Sequence, residues 1–187
     1  MGYPGIDALV FVKNILTGMD LKNKIKIINS GKVTTGFGII KRLALGADLI
    51  YSARAMMLAL GCIQALRCNT NHCPTGVATQ DPGLAAGLIV SDKRLRVANY
   101  HSETIQSAKH MLEAMGIEHP SKLNPTHIFK RVGPYNVKNY EEIFSYLQEG
   151  ELLQKSVPET YRAAFEESSP DSFGKPASSP LISRKVG

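Results

Sequence analysis

Apolar positions in residues 1–60 alternate between the spacing of amphipathic helices and that of short buried strands. Apolar side chains at helical spacing predict a helix from Pro4 to about Leu16, and a β-branched run predicts a strand at Ile25–Ile28. By the same criteria the next elements are a helix at Thr35–Leu45, a strand at Ala47–Tyr51 and a helix at Ala53–Leu60, with Gly46 and Gly61 ending the two helices. This α-β-α-β-α order predicts parallel strands that are joined by crossover helices.

Residues 61–90 show no convincing periodicity, and helical segments follow in residues 91–150. An irregular segment of this length is unusual inside a compact domain unless it has a function or a metal orders it. Ser91 is expected to cap a long helix that ends at Met115 and Gly116. Its predicted buried stripe contains Ala98, Ile105, Ala108, Leu112 and Met115, with His101 as a packed core histidine. Shorter helices are predicted near Pro125–Lys130 and Tyr140–Leu147.

Residues 151–187 lose this patterning. One more helix is predicted at Pro158–Glu167, with Pro158 at its first position. From Ser168 onward the chain is rich in Ser, Pro, Gly and Lys, so a disordered tail is expected. The predicted organisation is an α/β segment in residues 1–60, a cysteine loop in 61–90, a helical extension in 91–150 and a last helix with a tail in 151–187.

The composition indicates the class of protein and the cellular compartment to expect. The chain has 187 residues, of which 43% are apolar, and its net charge is +6. No apolar run approaches the roughly 20 residues that span a bilayer, and no signal-peptide pattern opens the chain. We therefore expect a cytoplasmic protein that does not contact a membrane. The basic residues form no stripe with interleaved aromatics, so nucleic-acid binding is not expected, whereas a site for an anionic phosphate or carboxylate fits the charge.

Each predicted strand ends in a turn of small residues that opens a helix. These turns contain Ser30, Gly31 and Lys32 after the first strand, and Ser52, Ala53 and Arg54 after the second. Small residues allow close backbone approach, free amides at a helix start favour an anion, and Lys32 and Arg54 add full charges. Two consecutive turns of this kind match the phosphate site after strands 7 and 8 of a (β/α)8 barrel. The alternative is that the first turn is an ordinary connection between a strand and a helix.

The three cysteines of the chain, Cys62, Cys68 and Cys73, fall in one short segment. An odd, local set suggests a metal rather than a disulfide framework. A zinc site takes four ligands, usually in closer pairs, and only His72 or His101 is available as the fourth. Three thiolates with a Cys-Pro ending instead suit an iron–sulfur cluster such as [3Fe–4S]. A further alternative is three buried, reduced cysteines that act as small apolar residues.

The run Leu60–Pro82 closely resembles the [3Fe–4S] loop of glutamate synthase. The cysteine spacing, the Gly-Cys-Ile at the start of the loop and the Cys-Pro-Thr-Gly-Val-Ala-Thr-Gln-Asp-Pro run all match. Ser30–Gly36 resembles the family's turn after strand 7, and Gly46–Ala53 resembles its turn after strand 8. The likeness extends from about residue 4 to about residue 135.

The resemblance implies an α/β fold, namely a partial (β/α)8 TIM barrel with strands 7 and 8, followed by the cysteine loop and a helical C-terminal extension. It implies that Cys62, Cys68 and Cys73 ligate a [3Fe–4S] cluster, and that FMN is held by Ser30, Gly31, Lys32, Ser52, Ala53 and Arg54. In the family, electrons pass between the cluster and FMN, and the flavin reduces 2-iminoglutarate, formed from 2-oxoglutarate and ammonia, to L-glutamate. The implied electron donor is a subunit that uses reduced pyridine nucleotide, or ferredoxin.

The family's barrel strands 1–6 and its glutaminase domain have no counterpart in this sequence. We therefore expect a fragment, a truncated frame or one piece of a split protein that is inactive alone. Its expected partner is the missing N-terminal barrel half or another subunit. The alternative function is a non-catalytic iron–sulfur module, for electron transfer or assembly, that completes a partner's barrel. A zinc-binding structural domain is a third possibility.

Overall fold

A computed structural model describes residues 3–154 and 157–171 of the chain. Within these residues the fold is mixed α/β, with seven α-helices and two small two-stranded sheets, and the sheets form no closed barrel. The first half contains α1 (Gly5–Gly18), β1 (Ile28–Ser30), α2 (Gly36–Ala44), β2 (Leu49–Tyr51) and α3 (Arg54–Leu60). The second half contains α4 (Pro82–Ala85), α5 (Val90–Ala114), β3 (Phe129–Gly133), β4 (Asn136–Asn139), α6 (Tyr140–Ile143) and α7 (Glu159–Glu166).

The predicted pairing of the first two strands is confirmed. β1 and β2 are parallel, with Ile28 opposite Leu49 and Ser30 opposite Tyr51. The predicted bounds of β1 are wrong, because the chain is still in a turn at Ile25, whose amide donates to the Leu21 carbonyl. The strand begins only where it can pair with β2.

The three helices predicted around this sheet are also confirmed. The side chain of Thr35 caps α2 by accepting a hydrogen bond from the Gly38 amide at 3.1 Å. Gly46 and Gly61 follow the ends of α2 and α3 with φ values of +107° and +116°. Only glycine adopts this left-handed conformation without strain, which explains both helix ends.

The main core lies between α1, α2 and α5. Its buried residues are Leu9, Val10, Ile40, Ala44, Leu45, Ala47, Ala108, Leu123, Ile128 and Tyr140. Gly36 allows α2 to approach α5 closely, since a Cβ at that position would lie 2.6 Å from the Ala108 amide nitrogen. The helix after β1 is thereby held against the long helix that follows the cysteine loop.

The predicted burial of the long helix is wrong in part. Ala108 is buried and Leu112 is half-buried, but Ile105 is 48% exposed, and Ala98 and Met115 are also exposed. His101 is exposed rather than packed in the core. The reason is that α5 packs on α2 and α3, and the described residues leave the rest of its predicted stripe uncovered. Its N-cap is Ile89, not Ser91, which lies inside the helix.

Residues 129–139 form a hairpin, most of which lies between the two shorter predicted helices. β3 and β4 pair antiparallel, with Phe129 opposite Asn139 and a bulge between Arg131 and Gly133. The predicted helices shrink to a single 3-10 turn at Pro125–His127 and to the short α6. The Gly-Pro-Tyr sequence at the hairpin turn marks a chain reversal that helical spacing alone does not detect.

The C-terminal helix predicted at Pro158–Glu167 is confirmed as α7, although Pro158 is its N-cap residue rather than its first helical residue. Asn14 of α1 is fully buried, and its side-chain amide donates to the Ser145 carbonyl and the Tyr161 hydroxyl. Most of the tail predicted from Ser168 onward lies outside the described residues. Among the described helices, none is both long enough and apolar enough to cross a membrane.

Candidate functional site

The turn after β1 has an unusual backbone conformation. Gly31 and Lys32 have φ values of +109° and +53°, so two consecutive residues are left-handed. For a residue with a side chain, such as Lys32, this conformation costs about 1 kcal/mol and persists only where surrounding contacts impose it. A Cβ on Gly31 would meet no atom within 4 Å, so the space beside its backbone is open. The backbone of Gly31 and the residue Lys32 therefore border an open space.

Arg42 of α2 holds this turn from behind. Its Nη2 donates to the Gly31 carbonyl at 2.7 Å, its Nε donates to Asn29 Oδ1 at 2.8 Å, and its Nη1 donates to the Gly38 carbonyl at 3.0 Å. The residue is only 9% exposed. Burial lowers the pKa of Arg42, but an arginine remains a cation at neutral pH. A buried positive charge therefore lies directly behind the turn.

The turn after β2 is joined to the first turn by a side chain. The Ser52 hydroxyl donates to the Val33 carbonyl at 2.7 Å. A second tie comes from α5, where the Tyr100 hydroxyl donates to the Thr34 carbonyl at 2.7 Å. These two bonds fix the position of the loop that leads into α2.

One cavity of about 700 Å³ lies where the two turns meet the cysteine loop. It is lined by Ser30, Gly31, Lys32, Val33, Tyr51, Ala53, Arg54, Met57, Cys62, Gln64, Leu66 and Cys68. The cavity therefore brings together residues of both predicted phosphate turns with two of the three cysteines. Ser52 is not part of the lining and instead supports it through its bond to Val33.

The three cysteines differ in exposure, and none forms a disulfide. Cys62 is half-buried, Cys68 is exposed and Cys73 is buried. The Thr75 hydroxyl lies 3.5 Å from Cys73 Sγ. This hydroxyl and the backbone amides of residues 75, 77 and 78 lower the pKa of Cys73 to about 7, against the opposing effect of burial. Thiolate is the form that binds iron, so this environment suits a metal ligand.

Internal hydrogen bonds order the second half of the cysteine loop. Asn71 Oδ1 accepts from the Gln80 amide at 2.6 Å, and the Thr79 hydroxyl donates to the Asn71 carbonyl at 2.6 Å. Asp81 caps α4 by accepting from the amides of residues 83 and 84. The loop is therefore a defined structure within the described residues, although little of it is helix or strand.

The three thiols of the loop are the type of ligand that an iron–sulfur cluster uses, but they do not lie close together. In the part of the chain that the structure describes, no group of three His, Cys, Asp or Glu side chains lies close enough together to hold a metal ion. Cys62 and Cys68 face one cavity, and Cys73 lies in a nest of amide donors. Binding a cluster would require the thiols to draw together around it.

Three features of the site were not predicted from the sequence. Arg42 lies in the last turn of α2, where its spacing reads only as a polar helix position. Gln64 and Leu66 line the cavity with left-handed backbones, at φ +57° each. Met57 of α3 also lines the cavity. Basic residues favour the last turn of a helix because they interact with its macrodipole, so the sequence gives a reason for an arginine at position 42. It gives no indication that this arginine contacts the turn after β1.

Comparison with known proteins shows the family of the chain. Residues 1–118 match the model of the conserved region in glutamate synthase, so the chain belongs to the glutamate synthase family. A glutamate synthase large subunit-like protein, YerD, of Bacillus subtilis is 38% identical over 143 residues, which cover 76% of this chain and 27% of that protein. The family predicted from the cysteine loop is confirmed.

Two further relatives carry glutamate synthase names. The archaeal glutamate synthase (NADPH) of Methanocaldococcus jannaschii is 38% identical over 117 residues, 63% of this chain and 23% of that protein. The glutamate synthase (NADH) of Saccharomyces cerevisiae is 31% identical over 97 residues, 52% of this chain and 4% of that protein. The chain thus spans about a quarter or less of the length of these curated relatives.

Proposed function

We propose that this chain is the part of an FMN- and iron–sulfur-dependent glutamate synthase that holds the flavin phosphate and a [3Fe–4S] cluster. The full activity would be the reductive formation of L-glutamate from 2-oxoglutarate and nitrogen from ammonia or glutamine. The observation that carries the proposal is the cavity of about 700 Å³ shared by the two turns and the cysteine loop. Membership of the glutamate synthase family supports the same reading.

The phosphate of FMN would lie against the turn after β1. The Gly31 backbone has open space beside it, and the charges of Lys32 and Arg54 line the same cavity. A dianionic phosphate is favoured by such cations and by free backbone amides. Ala53 adds a small surface on the opposite turn, while Ser30 lines the cavity at the end of β1 and Ser52 braces the loop between the turns.

The cluster would be held by Cys62, Cys68 and Cys73. Three thiolates are the ligand type that iron–sulfur clusters use, and the lowered pKa of Cys73, at about 7, reduces the cost of its deprotonation. Donor groups around Cys73, such as the Thr75 hydroxyl, would also tune a bound cluster by hydrogen bonds to sulfur.

When bound, these two groups supply one-electron and two-electron transfer, which the protein's side chains cannot perform. The contribution of this chain is positional. Because Cys62 and Cys68 line the same cavity as Gly31 and Lys32, the chain would hold the cluster ligands and the flavin phosphate within one site.

The chain spans only part of the length of its relatives, and this indicates which partners it would need. The remaining barrel, with the substrate site for 2-oxoglutarate, would come from a longer chain or from another subunit. The electron donor would be a subunit that uses reduced pyridine nucleotide, or ferredoxin. NADPH and NADH appear in the names of relatives, which supports the first of these.

A second candidate is a non-catalytic iron–sulfur module that completes a partner's barrel. The observation that favours it is the exposure of the first sheet. Leu49 and Tyr51 of β2 are 55% and 60% exposed, and Ile28 of β1 is 47% exposed. Apolar strand residues left uncovered in this way are the kind of surface that another strand or helix covers.

Separate assays of iron and flavin in anaerobically purified chain distinguish the two. The proposed function predicts iron, acid-labile sulfide and a chain that binds added FMN more tightly than riboflavin. Iron and sulfide without any preference for FMN would favour the module. Stoichiometric zinc without sulfide would contradict both and establish the structural zinc site.

A further inference from the structure

Arg42 does not line the cavity, yet it touches three segments that shape it. Its guanidinium donates to strand β1 through Asn29, to the turn through the Gly31 carbonyl and to the first part of α2 through the Gly38 carbonyl. The planar guanidinium presents its donors in a fixed geometry, so three simultaneous bonds define the relative positions of their acceptors. No single-point cation such as lysine can reproduce that pattern.

The bond to Gly31 has a consequence for the next amide. In a trans peptide the carbonyl and the N–H point in opposite directions, and the peptide between Gly31 and Lys32 is trans. Since the Gly31 carbonyl points toward the guanidinium, the Lys32 N–H points away from it. Within the described residues no protein group accepts a hydrogen bond from that N–H, so it is available to a ligand.

The same peptide is the strained part of the turn. Gly31 and Lys32 are both left-handed, and Lys32 must be held in that conformation by its surroundings. Arg42 provides the only side-chain hydrogen bond to this peptide in the part of the chain that is described. Without it, the peptide would be free to rotate, and the Lys32 amide would lose its fixed direction.

We infer that Arg42 is a positioning residue that aims the Lys32 amide at the phosphate of a bound flavin nucleotide. It acts through the Gly31 carbonyl and makes no contact with the ligand itself. The inference rests on the proposed FMN site. It adds a residue outside the cavity to that site and states what the residue does.

The test compares flavin affinities of Arg42→Met, Arg42→Lys and the unchanged chain. FMN and riboflavin differ only in the phosphate, so the ratio of their affinities, measured by flavin fluorescence, isolates the phosphate contact. Lys41→Met is the matched control, because it removes one cation from the same helix and Lys41 contacts Phe37 rather than the turn. Circular dichroism melts verify that each variant is folded.

We expect Arg42→Met to weaken FMN binding about 10- to 100-fold and to leave riboflavin binding within about threefold. Arg42→Lys should behave almost as Arg42→Met, because it keeps the charge but not the three-way geometry. Lys41→Met should change neither affinity by more than about threefold. If Arg42→Met does not fold, Arg42→Lys provides the same comparison with a smaller change in the core.

A direct readout is the amide resonance of Lys32 during titration with inorganic phosphate. The unchanged chain should show a saturable shift that both Arg42 variants lose. An equal loss of FMN and riboflavin affinity would overturn the inference, as would full retention of FMN affinity in both variants. Failure of the unchanged chain to prefer FMN over riboflavin would instead overturn the proposed function and the role of Arg42 with it.

Discussion

Ile27 and Asp48 exchange two hydrogen bonds just before the two parallel strands begin. The Ile27 amide donates to Asp48 Oδ2 at 2.7 Å, and the Asp48 amide donates to the Ile27 carbonyl at 2.9 Å. Lys22 adds an ion pair to the same carboxylate at 2.8 Å. This connection sets the register of β1 and β2, and hence the relative position of the two turns that line the cavity.

Stability should depend on the charge of Asp48. Partial burial raises the pKa of Asp48, but the bonds from Ile27 and Lys22 and the charges of Lys22 and Lys26 outweigh it, so the pKa lies below its ordinary value. The stabilisation is therefore complete above the ordinary pKa of about 3.9 and is lost as the pH falls through the lower folded value. Asp48→Asn should reduce the loss of stability at acidic pH, which is the acid limb of the stability curve. It should also lower the free energy of unfolding at pH 7 by about 1 kcal/mol.

Chemical denaturation of the unchanged chain and of Asp48→Asn between pH 7 and pH 2 measures this effect. Asp92→Asn is the control, since the Asp92 side chain is 55% exposed and, among the described residues, pairs only with its neighbour Lys93. An acid limb of Asp48→Asn as steep as that of the unchanged chain would contradict the role given to the carboxylate.

Asn14 should be important for attachment of the C-terminal segment. Its buried side chain donates to the Ser145 carbonyl and the Tyr161 hydroxyl and accepts from the Leu147 amide. Asn14→Ala leaves these groups without a partner, so we expect a loss of about 3 kcal/mol in the free energy of unfolding. Asn23→Ala removes an exposed amide that bonds Glu149, and it should cost less than about 0.5 kcal/mol. Similar losses in the two variants would refute the prediction.

A side chain at position 76 should destabilise the cysteine loop, because it would clash with the loop's own backbone. Its φ is +73°, and a Cβ would lie 2.4 Å from the Leu84 carbonyl oxygen. Gly116 has a similar φ of +68° but nothing within 4 Å. Gly116→Ala therefore measures the conformational penalty alone, about 1 kcal/mol, and Gly76→Ala adds the clash.

We expect Gly76→Ala to be destabilised by at least about 2 kcal/mol more than Gly116→Ala, with reduced iron content after reconstitution. Denaturant unfolding and iron analysis of the two variants make the comparison. Equal stability and equal iron content would mean that the loop relaxes around the added methyl group.

Lys32 should matter for the phosphate and not for the isoalloxazine ring. Lys32→Met removes a cation that lines the cavity, so FMN affinity should fall about tenfold while riboflavin affinity stays unchanged. Lys24→Met is the matched control, because Lys24 is exposed and lies outside the cavity. Isothermal titration with both flavins would detect the difference, and an equal effect of the two substitutions would show that only overall charge matters.

The sequence was most informative where chemistry depends on adjacent residues. The turn Ser30–Lys32 and the cysteine run could be read directly, because small residues, cations and thiols cluster along the chain there. Arg42 could not be found in this way, since its partner Gly31 lies eleven residues away and only the folding of α2 back toward the strands brings them together. Local patterns carry no information about such a contact.

Burial on the long helix also escaped prediction, for a different reason. Helical spacing identifies an apolar stripe, but it does not say how much of the stripe has something to pack against. Ala108 meets Gly36 of α2, whereas Ile105 remains about half exposed. The hairpin was missed because its strands are short and all of their residues are at least partly exposed, which removes the alternation that reveals a strand.

Native mass spectrometry of the anaerobically prepared chain tests the central claim most directly, because it reads iron and sulfide in the same molecule. The account predicts a species that carries one three-iron, four-sulfide cluster, and it predicts that Cys62→Ser, Cys68→Ser and Cys73→Ser each abolish this species. Thr70→Ala serves as the control, because the Thr70 hydroxyl donates a hydrogen bond to the loop backbone but is not a cluster ligand in this account. A chain that carries one zinc ion and no sulfide, or that keeps its cluster after loss of Cys73, would contradict the account.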